Sequence, residues 1–309
     1  MSLVAYVIHK ISLESLIKSF TEINLLWVAA AGFLWLVQLV LSTIRWQIVA
    51  REQGMDFTFG RYFKLYYVAC LIGLVMPATI GTDAVRAKLL SRTENVTLGH
   101  AFRSVVKDRL LSTIAMVIVV IASLPFLYIL IDDTTAKNGL LVAILGLTGG
   151  VIGILFGEKL WAPIPWIGKH LSLMSLETRA LLKNKPVAIK VISLGVAIQV
   201  LVSLQFWCLG LGVHLDAAGY AYLVLLPAIS ILTMLPVTIN GWGMRETALY
   251  KGFALIGIVS PLAVTLSILF GLLTTVMNLG AAPLLLHLSL GQVIAPDQDD
   301  IPVTTSDAR

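Results

Sequence analysis

Met76-Pro77-Ala78-Thr79-Ile80-Gly81-Thr82-Asp83-Ala84-Val85-Arg86 and Leu235-Pro236-Val237-Thr238-Ile239-Asn240-Gly241-Trp242-Gly243-Met244-Arg245 are two versions of one pattern. Pro77 and Pro236 lie 159 residues apart, and so do Arg86 and Arg245; a Thr and an Ile recur between them in the same register. Proline stops a helix because it lacks an N–H and its ring collides with the preceding turn. Thr, Gly and Asn suit the unwound turn that follows. In lipid such a break is tolerated only where it is buried in protein or lines a cavity. The pair therefore predicts an all-α, polytopic membrane bundle with two broken or re-entrant helical hairpins, centred on 61–92 and 220–257 and related as inverted repeats.

The surrounding sequence agrees with a bilayer setting. The 309 residues are 58% hydrophobic and 13% charged, with mean hydropathy +0.92; a water-soluble chain of that make-up would leave much apolar surface wet. Leu25 to Ile44, Leu110 to Ile131 and Gly139 to Gly157 approach the ~20 apolar residues that cross a bilayer as a helix. Val187 to Val213 and Leu262 to Leu290 are longer and carry isolated Ser, Thr, Gln and Asn. Residues 24–290 read as one transmembrane domain. Residues 1–23 read as an interfacial amphipathic helix or a weak first span, because Lys10, Glu14 and Lys18 interrupt Ile8, Ile11, Leu16, Ile17 and Phe20. Residues 291–309 read as a disordered cytoplasmic tail.

Charge sets the orientation. Arg45, Arg51, Arg61 and Lys64, then Lys88 through Arg109, then Lys159 through Lys190 form three basic stretches, whereas the turns at Asp132–Lys137 and His214–Asp216 are poor in Lys and Arg. The positive-inside rule puts the basic stretches in the cytoplasm and predicts a multi-pass protein of the cytoplasmic (inner) membrane. The stretch from Arg61 to Lys88 then leaves and returns to one side. The connector Trp161–Asn184, with Trp161 and Trp166 among basic residues, predicts an amphipathic segment on the cytoplasmic leaflet. The net charge of +5 sits at span ends without aromatic interleaving, which excludes a nucleic-acid partner. Cys70 and Cys208 lie inside apolar runs and imply neither disulfide nor metal.

An ionisable group at membrane depth costs about 2.5–3.5 kcal/mol on insertion scales, so it faces a wet cavity or an ion pair. Arg86 and Arg245, with Thr79, Gly81, Thr238, Asn240 and Gly241 in the broken turns, are the candidate ligands for a lipid phosphate. Asp83 stands three residues before Arg86 and shares its helix face. Asp83, Glu246, Asp108 and Arg109 are the candidate charge partners or proton-coupling groups. Adjacent residues on a helix diverge, so Arg245 and Glu246 are expected to find separate partners. The competing expectation is that all these charges are structural pairs that lock the hairpins.

Arg45-Trp46 after the first clear span, the Pro77–Arg86 segment, Ser104-Val105 with Asp108-Arg109, and Leu235-Pro236-x-Thr238-Ile239-x-Gly241-x-Gly243-x-Arg245-Glu246 together resemble the flippase-like membrane region of lysylphosphatidylglycerol synthases and their stand-alone relatives. The resemblance covers about residues 24–285 and places Arg45 and Trp46 at the cytoplasmic interface. It implies movement of an anionic phospholipid or a polyprenyl-phosphate-linked glycolipid between leaflets. No aminoacyl-transferase domain follows, so lysyl transfer is not expected. With no phosphate loop, zinc-ligand cluster or nucleophile–base pair, the chain is expected to be a flippase, scramblase or transporter without enzymatic activity, cofactor or metal. His9, His100, His170, His214 and His287 are scattered. Membrane lipids are the expected partners, with a lipid-synthesis enzyme and further copies of the chain as candidates. The alternatives are a membrane-embedded enzyme acting on lipid phosphates and a subunit that presents lipid to a synthase.

Overall fold

The computed structural model describes residues 20–76, 78–94, 96–157, 167–233, 243–258 and 261–288. Pro77, Trp161, Trp166, Pro236, Thr238, Asn240, Gly241, the first nineteen residues and the tail from residue 289 lie outside the described residues, and so do the side chains of Thr79 and Ile80. The regular structure among the described residues is helical: α1 (Leu25–Arg51), α2 (Phe59–Gly73), α3 (Ala78–Thr93), α4 (Leu98–Leu130), α5 (Thr134–Phe156), α6 (Ile167–Lys183), α7 (Lys185–Gly212), α8 (Gly219–Thr233), α9 (Met244–Leu255), α10 (Leu262–Leu279) and α11 (Ala282–His287).

Among the described residues, five stretches are long and apolar enough to cross a membrane: α1, α4, α5, α7 and Leu262–His287. They coincide with the five apolar runs singled out in the sequence, three of which end one residue past the helix and the last of which, to Leu290, ends outside the described residues. Local chemistry starts them. Asn24 caps α1 by accepting from the Leu26 N–H at 3.0 Å, and Asp133 caps α5 by accepting from Thr135 and Ala136 at 2.7 and 3.2 Å. Two helices run past the expected apolar limits. α1 continues from Ile44 to Arg51, and α4 begins at Leu98 rather than Leu110. The 33 residues of α4 span about 50 Å against a hydrocarbon core of about 30 Å, so α4 must tilt or project.

α1 and α7 form the antiparallel spine. Asn24 N donates to Gly212 O at 3.0 Å at one end. Gln205 Nε2 donates to Gln38 Oε1 at 2.5 Å in the middle, and Asn184 Nδ2 donates to Glu52 Oε2 at 3.4 Å at the other end. Beside them stand two short-armed hairpins. α2 and α3 have 15 and 16 residues, fewer than the ~20 a full crossing requires. Arg61 and Glu94 close the base of this hairpin at 2.7 Å. Near its apex the arms meet so tightly that a Cβ on Gly73 would overlap Thr82. α8 and α9, of 15 and 12 residues, pack together as the second hairpin.

Each hairpin has its own apolar core, at opposite ends of the spine. Trp46, Tyr62, Leu90, Ala101 and Val105 surround the first, near the C-terminus of α1 and the N-terminus of α4. Tyr222, Leu249 and Phe253 surround the second with Ala31, Leu127 and Ile131, at the other ends of those same helices. The face holding Arg51, Arg61 and the start of α4 is the basic face.

The 159-residue offset extends beyond the two quoted motifs. It carries α1 onto α7 and α2 onto α8 to within two residues at each end, and α4 onto the stretch of α10 and α11. The packing partners correspond as well. α1–α2, α2–α3, α3–α4 and α1–α4 are matched by α7–α8, α8–α9, α9–α10 and α7–α10. Across the seam, α4 packs on α7 and α8 while α10 packs on α1 and α2. The connecting helices α5 and α6 stand outside this pattern. α6 turns Met174, Ser175, Thr178 and Leu181 inward and docks when Ser175 Oγ donates to Leu155 O at 2.5 Å; Leu176 stays exposed. The described part of the amphipathic connector, α6, is therefore clamped to the bundle.

Gly73→Leu should force the first hairpin apart and lower stability by about 1–3 kcal/mol, the usual cost of overpacking. Gly149→Leu, where a Cβ meets nothing within 4 Å, should be neutral. Thermal unfolding in detergent compares the two; equal melting temperatures would remove the tight apex from the account.

Candidate functional site

Three helices bring charges together at the basic side of the first hairpin, and α2 adds an aromatic ring. Asp108 on α4 is 1% exposed and accepts on both oxygens: Arg45 Nε on α1 at 2.8 Å and an Arg86 terminal nitrogen on α3 at 2.8 Å. Arg86 also donates to Asp83 at 3.2 Å, the contact their three-residue spacing predicts. Its guanidinium lies between the rings of Trp46 and Tyr66, with centroids at 4.3 and 4.4 Å. Arg is suited to this position because its flat cation stacks on aromatic faces while its edge donates. Trp46 is held in turn by Ser104, whose Oγ accepts from Nε1 at 3.3 Å. Arg45 donates a second time to Ser112 at 3.0 Å, and Arg109 Nε approaches Asp83 at 3.7 Å.

Arg45 and Trp46 are thus corrected: both are buried, inside a helix, and neither is an interfacial anchor. The helix runs seven residues past Ile44, and a carboxylate 63 positions away neutralises Arg45. Gly81 is also corrected. It lies within α3, outside the unwound turn, where a Cβ would overlap Met76. Thr79 belongs to the first turn of α3 by its backbone.

The second arginine sits in a related contact. Arg245 Nε donates to Ser267 Oγ at 3.0 Å on α10. Its separation of 22 residues is the same as that of Arg86 and Asp108, so Ser267 occupies the register position of Asp108. Glu246 caps α9 by accepting from the Gly243 N–H at 2.5 Å. It also accepts from Ser267 Oγ at 2.9 Å and lies 3.4 Å from Arg245. Adjacent residues therefore do converge here. In the first turn of α9 the glutamate folds back onto its own N-cap, the arginine reaches along it, and one hydroxyl joins them. Gly243 has φ of 85°, a left-handed conformation that glycine adopts without strain.

The two arginines turn to different helices: Arg86 meets Asp108 on α4 and Arg245 meets Ser267 on α10.

A polar cavity of about 250 Å³ adjoins the first cluster. Arg45 and Arg109 line it with Gln38 and Ser42 of α1, Gln199 of α7 and Ser230 of α8. Gln38 is 13 residues from the start of α1, about 20 Å, and Arg45 lies further on, so the cavity follows the half of that helix nearer the basic face. It opens along the seam between the two sets of matching helices. Gln199 and Tyr66, another lining residue, are not among the candidates that the sequence offers individually. An isolated glutamine inside an apolar span was the available signal for Gln199; nothing local distinguishes Tyr66. Among the described residues, no three or more His, Cys, Asp or Glu side chains are grouped to hold a metal ion.

Fold and site together define a helical integral membrane protein with a buried ion cluster beside a polar cavity. The chain belongs to the family described as the lysylphosphatidylglycerol synthase TM region, whose pattern matches residues 1–282. The match reaches the first residue, further than the expected 24–285. A UPF0104 membrane protein of Methanocaldococcus jannaschii is 31% identical over 104 residues, which is 33% of this chain and 31% of that protein. The chain thus aligns with about a third of that relative's length. No solved structure matches.

Arg86→Ala should lower stability by about 3–5 kcal/mol, the cost of breaking a buried ion pair from one side. Arg86→Lys should recover only part, since an ammonium cannot stack and fork as a guanidinium does. Unfolding measurements on both variants check this, and a fully stable Arg86→Ala protein would free Arg86 for a ligand.

Proposed function

We propose that this protein moves an anionic phospholipid or a polyprenyl-phosphate-linked lipid between the leaflets of the cytoplasmic membrane, without covalent chemistry. The polar cavity at the seam carries the reading. Headgroup transfer needs a hydrated path with cationic donors at mid-depth, because a phosphate in hydrocarbon has no compensating partner. The nearby charges Arg45, Arg86 and Arg109 against Asp83 and Asp108 leave a net of one positive charge. Arg109, with its side chain 36% exposed, faces the cavity.

The helix correspondence supports an inverted-repeat reading in which two hairpins enter from opposite faces, and transporters of that construction bind their cargo where the repeats meet. In this account Arg86 is a positioning residue: it holds Asp108, which aims Arg45 and leaves Arg109 at the cavity wall. Asp83 pairs with Arg86 and Arg109, and Glu246 with Arg245 and Ser267, so each ties one hairpin arm to the following long helix, and downhill transfer needs no titrating group.

Purified protein in vesicles, with fluorescent phosphatidylglycerol as probe and an impermeant quencher as readout, tests this. The wild type should exchange the probe between leaflets. Arg109→Gln should slow exchange by about tenfold or more, the loss of one hydrogen bond to a charged group, while melting as the wild type does. Chemical alteration of the lipid would favour the membrane-enzyme alternative. Absence of both exchange and alteration would leave a lipid-presenting subunit.

A further inference from the structure

The polar cavity draws one stripe of residues from each helix of the spine. Gln38, Ser42 and Arg45 line it from α1, and Ile198, Gln199 and Val202 from α7. Steps of three and four residues keep such positions on one helix face. The two helices run antiparallel, and Arg45 stands opposite Gly195, where a Cβ would lie 3.7 Å from the guanidinium. From Arg45 the stripe leads to Gln38, which meets Gln205 one turn past Val202; Gln205 Nε2 donates to Gln38 Oε1 at 2.5 Å. Beyond that pair the spine is apolar. Ala31, Phe206 and Leu209 belong to the core of the second hairpin, and Phe206 stacks on Phe270 of α10 at 4.2 Å.

The amide pair is incompletely satisfied. Gln205 is fully buried, and its Oε1 has no hydrogen-bond partner among the described residues. A carboxamide carries both donors and an acceptor, so a single contact with Gln38 leaves capacity unused whichever way the two amides are turned. A buried polar atom without a partner disfavours the arrangement that strands it. Turning away from Gln38 toward water or a polar headgroup supplies the missing bond. Both side chains are uncharged, so their parting separates no ions.

We propose that the Gln38–Gln205 pair is a gate, which closes the cavity on the side away from the basic face and opens when a headgroup takes over the hydrogen bond of Gln38. Gln38 meets the headgroup; Gln205 is a positioning residue that acts through it. The gate rests on the transport reading, because a headgroup that crosses the membrane has to pass beyond Gln38. Apolar residues at both positions would form a stable seal, since replacing both partners of a buried hydrogen bond costs little.

Two variants with opposite expected effects test the gate in vesicles, with fluorescent phosphatidylglycerol and an impermeant quencher. Gln38→Leu combined with Gln205→Leu should melt at or above the wild-type temperature and slow exchange by about tenfold or more, the loss of one hydrogen bond to a charged group. Gln205→Asn, an amide one methylene too short to hold Gln38, should quicken exchange. It should also quicken modification by a charged thiol reagent of Cys208, a buried residue three positions past Gln205 and on the same side of α7; Cys70→Ser in every sample removes the other thiol. A packing role alone would move exchange in one direction in both variants. That outcome, or wild-type exchange in a stable double variant, would overturn the gate and leave the transport reading standing. If the double variant melts low, Gln205→Asn decides: unchanged exchange and unchanged labelling remove the gate. A wild type without exchange would sink the transport reading, and Cys208 labelling would still show whether the pair closes the cavity.

Discussion

One carboxylate organises the basic half of this protein. Asp108 accepts from two arginines that arrive from different helices, and through them α1, α3 and α4 are fixed to one another. A lone buried carboxylate or guanidinium in apolar surroundings is costly, and its mutual satisfaction is strongly geometric. The aromatic rings of Trp46 and Tyr66 complete the enclosure by stacking on Arg86 while excluding water. The short hairpin arms, neither long enough to cross the membrane alone, gain a defined place because this cluster anchors one of them.

The arrangement has a partner elsewhere in the chain. Arg86 meets Asp108, and Arg245 meets Ser267 at the same sequence separation. The helices bearing them recur at one offset with matching neighbours. Two apolar cores, one per hairpin, lie at opposite ends of the α1–α7 spine, and the polar cavity falls between. Such a layout keeps buried charge inside protein and leaves long apolar helices, α5 above all, to face lipid.

Much of this was legible in the sequence for a local reason. An apolar run near twenty residues is a one-dimensional property, so the five long spans could be read directly. The Pro-to-Arg repeat needed only comparison of the chain with itself, and Asp83–Arg86 needed only helical periodicity. The failures were long-range. Nothing next to Arg45 announces a carboxylate 63 residues later, so a basic residue at the end of an apolar run resembled an ordinary headgroup anchor. Gly81 after Pro77 resembled part of the break, whereas α3 already begins at Ala78 and the glycine serves close packing on Met76. Arg245 and Glu246 were expected to diverge because helix geometry separates neighbours; the capping role of Glu246 bends that rule at a helix start. A cavity assembled from five helices has no sequence signature beyond scattered polar residues.

The exchange of Asp108 for Ser267 at equivalent positions makes the halves unequal in how tightly each hairpin is fastened. Pulling Arg86 from its seat would break a buried ion pair and leave Asp108 to Arg45 alone. Pulling Arg245 from Ser267 would break one hydrogen bond to a hydroxyl that stays bonded to Glu246, itself close enough to follow the cation. The fastening of the second hairpin is therefore the softer latch, and movement of α9 against α10 meets less resistance than movement of α3 against α4.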